Sequence, residues 1–576
     1  LNHALPRQPD AASARSASQR HVGWGAVLAM VLVPLAASDA SAQTLAANDK
    51  NEAIPAACLD PSISREGIPC PPNPPMLVER SLKAHRSLKP RVRQALQDII
   101  NDPALAPADF GLSVTRASDG ASLAEFGADL RINPASNAKL ATSAAALALL
   151  KPEFRFKTEY YIKGRVKEGV LWGDLIVKGY GDPTVVSERL MRVANELYLY
   201  GIERVRGAII VDDSYFDGQE DARGWELEEN PDRAYAAPVS ATSLNYNAIA
   251  IHIRPGEKGE LATVQVDPPV AMATLEGEVN TQRWGRRLRI YTKPDRHGTL
   301  VQVSGAVSYR DPPRRWYRRV YDPAMYFGHT LAHFMQQRGI RVTKRIKRGT
   351  VPSGAKLIHI DVSKRLTQII SDLNHYSNNF VAETLVKTIG AEATGAPGSF
   401  HVGLALIREY LEDDLGFQKG AYTLGNGSGL NDVNRLTARQ TTTLLRAMAT
   451  DFEIGTEFAT SLAVSGTQGT IRSRMKRGPA RRRIRAKTGT LRGVSALSGY
   501  VVTPNNEVLC FSILTQGYRT SVRDIWKVQN AIGEVLASDG ESWAPPVDDV
   551  EPTTAVSATG VGPDGKPTEA QKGGNP

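Results

Sequence analysis

The chain has 576 residues, 41% hydrophobic and 23% charged, which is ordinary for globular protein; at roughly one domain per 150 residues it predicts about three domains plus tails. A formal charge of +10, with cations concentrated between Arg472 and Lys487, would raise nucleic acid as a partner in a cytoplasmic protein, but the leader described next argues against it. The run reads first as a solvated basic loop; if it binds anything, anionic cell-wall polymer or phospholipid headgroups are the natural class.

At the N-terminus, Arg15 and Arg20 precede an apolar run over 22–37, followed by Ala40-Ser41-Ala42, a small-x-small cleavage pattern. Residues 1–42 are therefore expected to be an export signal, against the alternative of an uncleaved anchor. The apolar run is short for a bilayer span and carries Gly25 and Pro34. Residues 43–79 are rich in Pro, Ala and Asn without periodicity and read as a linker; an exported chain can hold a Cys58–Cys70 disulfide there. The third cysteine, Cys510, sits in an apolar run and reads as a buried strand residue. No Cys/His spacing resembles a metal site, and no cofactor or metal is expected.

Farther along, a helical pattern covers 81–100, and strands at 111–116 and 122–126 flank the turn Asp119-Gly120, giving a hairpin. Asn133-Pro134-Ala135 stops the extended chain, and Ser136 opens an Ala- and Leu-rich run to Leu150 that suits a buried helix. From 154 to 356 strand-like runs such as 207–211 and 248–253 alternate with Gly, Asp and Pro turns, a strand-rich insertion. Helical patterns resume at 366–389 and 401–413, strands at 484–487, 495–502 and 507–515, and a closing helix at 521–537. The expected fold is an α/β (α+β) sandwich, its main domain split into 80–153 and 357–540 around the 154–356 insert. The Pro-, Gly- and Thr-rich tail, 541–576, reads as disordered and offers no amphipathic apolar helix for a membrane anchor.

Three strings carry the chemistry: Ser136-Asn137-Ala138-Lys139, Ser377-Asn378-Asn379 and Lys487-Thr488-Gly489-Thr490. A serine hydroxyl is a poor nucleophile at neutral pH, so acyl transfer needs a base beside it, a proton route to the leaving group, and donors for an anionic substrate. Singly the strings say little. The S-x-x-K spacing recurs at Ser353 and Ser473, neither of which opens a buried helix, and S-x-N recurs at Ser243. Ser136 does open one, which places Lys139 one turn away on the same face. K-T-G-T occurs once, between strand-like sequence and a hairpin.

In this order and context the strings make the chain resemble the class C low-molecular-mass penicillin-binding proteins, the D-alanyl-D-alanine carboxypeptidase/endopeptidases of peptidase family S13. Segments at 134–140, 179–184, 211–216, 237–240, 425–430 and 469–470 extend the resemblance over about 80–540. Ser136 and Ser377 are 241 positions apart, and a large insert between these elements is the family's peculiarity. The resemblance implies a penicillin-binding-protein transpeptidase-like sandwich and a periplasmic enzyme acting on peptidoglycan stem peptides. It also implies covalent inhibition by β-lactams, no nucleic-acid partner and at most peripheral membrane contact.

By the same resemblance Ser136 is the nucleophile and Lys139 its base. Ser377 bridges Lys139 and Lys487, Asn379 holds the substrate backbone and orients Lys139, and Lys487, Thr488 and Thr490, with Gly489 between them, receive the substrate carboxylate. The oxyanion hole would be the backbone N–H groups of Ser136 and Thr490. Two residues depart from the usual pattern: Asn378 stands where Asp is commoner, and Asn426 where Asp usually precedes Gly-Ser-Gly, with Ser428 read as loop-forming. The alternatives are a β-lactamase or esterase on the same scaffold, disfavoured by the missing E-x-x-L-N string, and an inactive cell-wall-binding scaffold, disfavoured by the intact Ser, Lys, Ser, Asn and Lys.

Overall fold

In the computed structural model, residues 81–540 are described, apart from 86, 87, 297 and 396; the expected leader, linker, Cys58–Cys70 pair and tail lie outside the described residues. Strands from the two ends of this stretch build one antiparallel sheet. They are β1 (Lys83–Ala84), β2 (Asp109–Arg116), β3 (Ser122–Phe126), β4 (Ala463–Val464), β5 (Ile484–Leu491), β6 (Val494–Val502) and β7 (Val508–Gln516), in the order β1-β3-β2-β7-β6-β5-β4. The interior strand β6 is buried at every position but its last, as a strand covered on both faces must be.

On one face the sheet packs against α1 (Pro90–Ile100) and α6 (Val522–Ser538), burying Leu96, Ile100, Phe511, Ile513 and Ile532. On the other lies α5 (Ala438–Thr450), with α2 (Ala138–Leu150), α3 (Leu366–Tyr376) and α4 (Asn379–Thr394) in the core beyond it. The Ala- and Leu-rich α2 is apolar nearly all round, and such a helix is stable only when enclosed. The expected α/β sandwich is present.

Two helices depart from expectation in ways the packing explains. The helix predicted over 81–100 starts at Pro90, because Lys83 and Ala84 pair with Glu125 and Ala124 as an edge strand, and Pro90 takes the first helical turn, where a missing N–H costs nothing. The helix predicted over 366–389 is two helices. Ser377 adopts the left-handed conformation (φ 60°, ψ 38°) that ends α3, and the Asn378 side chain then accepts the Val381 N–H at 3.2 Å to cap α4. An Asn caps as well as an Asp, which accounts for the first departure.

The middle of the chain folds around its own core, which includes Tyr160, Val177, Ile209, Tyr326 and Phe327. Its larger sheet pairs Lys157–Lys167 with Val170–Gly179 and runs on to Lys356–Val362. Among the described residues no helix is long and apolar enough to cross a membrane.

Candidate active site

Ser136 lies in a tight turn, Ala135–Asn137, that leads into α2, slightly upstream of the regular helix the sequence suggested. Ala135 is forced to φ 46°, with its N–H bound by the Asn133 side chain at 2.8 Å, and Asn137 donates to Ser498 Oγ on β6 at 2.7 Å. The turn is thereby fastened to the sheet. A Cβ on Gly489 would come within 2.6 Å of Pro134 O and 3.1 Å of Ser136 N, so only glycine lets β5 approach the nucleophile this closely.

Lys139 Nζ has three oxygen neighbours: Ser136 Oγ at 3.0 Å, Asn379 Oδ1 at 2.6 Å and the Ser428 carbonyl at 2.5 Å. A neutral amine has two N–H groups and one lone pair. The amide oxygen and the carbonyl can only accept, so they take both N–H groups and leave the lone pair on Ser136 Oγ. Lys139 is fully buried, and burial, then the nearby Lys487 charge, pushes its pKa well below the ordinary lysine value, while Glu383 pulls it back up.

Across the cleft Lys487 Nζ donates to Ser377 Oγ at 2.8 Å and to the Thr488 carbonyl at 2.9 Å. Burial pushes Lys487 down to about 7. Thr488 Oγ1 donates to Thr470 Oγ1 at 2.8 Å, which leaves its acceptor side and the exposed Thr490 toward solvent. The structure thus brings Ser136, Lys139, Ser377, Asn379, Lys487, Thr488, Gly489 and Thr490 to one place. Ser377 bonds Lys487, while Lys139 spends its bonds on Ser136, Asn379 and Ser428.

Ser428 was read as loop-forming, and its side chain is: Oγ accepts the Leu430 N–H at 3.3 Å. Its carbonyl, however, is a partner of Lys139, which no side-chain pattern could reveal. Asn426 explains its own departure from Asp. Its amide donates to Arg223 O and Leu430 O, both at 2.9 Å, while its oxygen accepts from Gly429 N at 2.8 Å and Asn434 Nδ2 at 2.9 Å. A carboxylate has no N–H for the two carbonyls. Arg223, and Tyr235, whose carbonyl accepts from Asn379 Nδ2 at 3.0 Å, show the middle segment touching the site.

A cavity of about 970 Å³ lies elsewhere. It is lined by Arg189, His252, Asp267, Tyr317 and Lys364, and reaches the site only at Asn378. Among the described residues no group of three or more His, Cys, Asp or Glu is arranged to hold a metal ion.

Known proteins resemble the chain in both sequence and fold. Residues 92–538 match the D-Ala-D-Ala carboxypeptidase 3 (S13) family. The D-alanyl-D-alanine carboxypeptidase of Actinomadura sp. (strain R39) is 32% identical over 468 residues, 79% of this chain and 86% of the relative. That of Haemophilus influenzae is 24% identical, covering 69% and 83%. In three dimensions the crystal structure of penicillin-binding protein 4 from Haemophilus influenzae superposes with a TM-score of 0.66 at 22% identity, over 74% of this chain and 94% of that one, and so shares the fold. The chain belongs to the D-Ala-D-Ala carboxypeptidase 3 (S13) family and is a serine-type carboxypeptidase of the class C low-molecular-mass penicillin-binding proteins.

Proposed function

We propose that Ser136 attacks the carbonyl between two D-alanines of a peptidoglycan stem peptide, and that Lys139, as the neutral amine, takes the hydroxyl proton. The terminal D-alanine leaves with a proton delivered through Ser377, and water then hydrolyses the acyl-enzyme. Lys487, in its charged form, together with Thr488 and Thr490, receives the terminal carboxylate. Asn379 orients Lys139 and offers its second amide N–H to the substrate backbone. The backbone N–H groups of Ser136 and Thr490 would bind the oxyanion, where losing one donor costs about 3 kcal/mol of barrier. The observation that carries this reading is the Lys139 lone pair left to Ser136 by two obligate acceptors.

The same acylation step cleaves cross-links between stems, so endopeptidase activity belongs to the reading. A β-lactam offers a strained amide and a carboxylate in the same places; it would acylate Ser136 and leave slowly. A Haemophilus influenzae relative of the same fold has been crystallised with a β-lactam. Residues 1–42 would direct the enzyme to the periplasm, with the 154–356 segment inserted into a catalytic domain of 80–153 and 357–540.

The experiment is labelling with fluorescent penicillin alongside D-alanine release from a D-Ala-D-Ala peptide. Ser136→Ala should lose both while keeping the wild-type melting curve. Labelling of that variant would overturn the assignment.

A further inference from the structure

Glu383 lies on α4 one turn beyond Asn379, completely buried. Its carboxylate accepts the N–H groups of Gly427 at 3.2 Å and Ser428 at 2.7 Å, and the Ser428 hydroxyl as well. From the other side Thr142, on α2, donates to Gly427 O at 2.7 Å. The Gly427-Ser428 stretch is thus clamped between α2 and α4, and the clamp fixes the Ser428 carbonyl that takes a Lys139 N–H. Among the described residues no Lys or Arg lies within ion-pair distance of Glu383, since Lys387, the next turn along α4, is tied to Asp217 at 2.6 Å. A buried carboxylate without a cationic partner is costly to keep. The charged groups bearing on Lys139 are Lys487 from β5 and Glu383 from α4, with opposite effects.

We propose that Glu383 is a positioning residue for the reaction: it aims the Ser428 carbonyl at Lys139 and sets a negative charge on the side of the base opposed to Lys487 in effect. Helix α4 then controls the base twice at i,i+4 spacing, directly through Asn379 and through the Ser428 peptide by way of Glu383. Burial raises the carboxyl pKa of Glu383, while its hydrogen bonds to Gly427 and Ser428 and the Lys139 charge oppose that rise. The inference rests on Lys139 being the base, as proposed above.

The test is the rate of acylation by fluorescent penicillin as a function of pH. Glu383→Gln should move the acid limb to lower pH by roughly one unit, because loss of a nearby negative charge lowers the pKa of the lysine. It should also lower the plateau about tenfold, because one amide oxygen faces two N–H groups. Glu383→Asp keeps the charge but withdraws the oxygens, so the plateau should fall with the acid limb in place. An acid limb in Glu383→Gln that coincides with wild type overturns the inference, whatever the plateau does. Should the Gln variant not fold, the Asp variant decides: a moved limb or an unchanged plateau overturns it. An unlabelled wild type, or a labelled Ser136→Ala, would instead remove the assignment of nucleophile and base.

Discussion

The catalytic cluster and the middle segment treat buried charge in opposite ways. Around the middle sheet, Arg189 is clasped by Asp182 at 2.7 Å and Asp361 at 2.6 Å, and these carboxylates raise its pKa against the pull of burial. Arg318 lies 3.0 Å from Asp232, although there burial wins and pushes it down to about 10. In the cleft Lys139 and Lys487 are just as buried, yet among the described residues neither has a carboxylate within ion-pair distance; hydroxyl, amide and carbonyl oxygens surround them instead. Paired charges are held in one protonation state, whereas burial pushes Lys487 down to about 7 and, with the nearby Lys487 charge, holds Lys139 well below the ordinary lysine value. Burial without an acid is not sufficient for chemistry. Arg474 is buried and lowered to about 9, but it donates to the amide oxygens of Gln529 and Asn530 on α6 rather than to a hydroxyl in the cleft.

The sharpest way to break this contrast is Lys139→Met. A methionine fills the same space without a charge to desolvate, so stability at neutral pH should hold while acylation falls about a thousandfold or more, read by penicillin labelling and thermal melting together. Asp361→Asn should do the reverse. It strips Arg189 and Arg192 of a shared partner, and breaking a largely buried pair costs roughly 3 kcal/mol, visible in urea unfolding. The acylation rate per folded molecule should stay at the wild-type value. If Asp361→Asn slowed acylation, the two regions would not be separable in this way.

How much of this was legible beforehand follows from what side chains can and cannot announce. The eight residues at 136, 139, 377, 379 and 487–490 carry distinctive groups at fixed spacings, and the strands around Ile484–Leu491 and Val508–Gln516 have unmistakable apolar runs. The break at Ser377 was hidden, because α3 and α4 share one continuous helical pattern and a single left-handed residue divides them. The Ser428 carbonyl was hidden more deeply, since every residue has a carbonyl and only its direction matters. Glu383 belongs to none of the three strings, and its contacts with Gly427 and Ser428 follow only from the fold. At the N-terminal end the helical pattern at 81–100 hid the edge strand Lys83–Ala84, because two residues are too few to show a strand period.

Lys487→Met sharpens the comparison through pH. Wild-type Lys487 titrates at about 7 in the folded protein and near 10.5 unfolded, so between those values the unfolded chain holds more protons. Stability should therefore rise with pH across this window, and Lys487→Met should flatten the rise. In catalysis the sign is opposite, since the charged lysine is the one that binds a carboxylate. For carboxylate-bearing substrates kcat/KM should fall above pH about 7 in the wild type, with the limb in kcat at higher pH because bound carboxylate favours the charged form. The variant should lose on the order of a hundredfold in kcat/KM and lose that limb.

The smallest effect is expected at Cys510, which separates burial from chemistry within one element. It lies on β7 opposite Tyr500, wholly enclosed on the face toward α5, and burial pushes its thiol up to about 12. Thiolate, the reactive form, is then scarce at pH 8, and the reagent has no path to the sulfur. Iodoacetamide should leave the Cys510 peptide unmodified in the native protein, as read by mass spectrometry, and alkylate it in denaturant along the same curve as global unfolding. Cys510→Ala removes one buried atom and should cost about 1 kcal/mol with no change in acylation. Modification of Cys510 well below the unfolding midpoint would mean that β7 opens on its own, and the rigid sheet against which β5 holds Lys487 would then be looser than the packing implies.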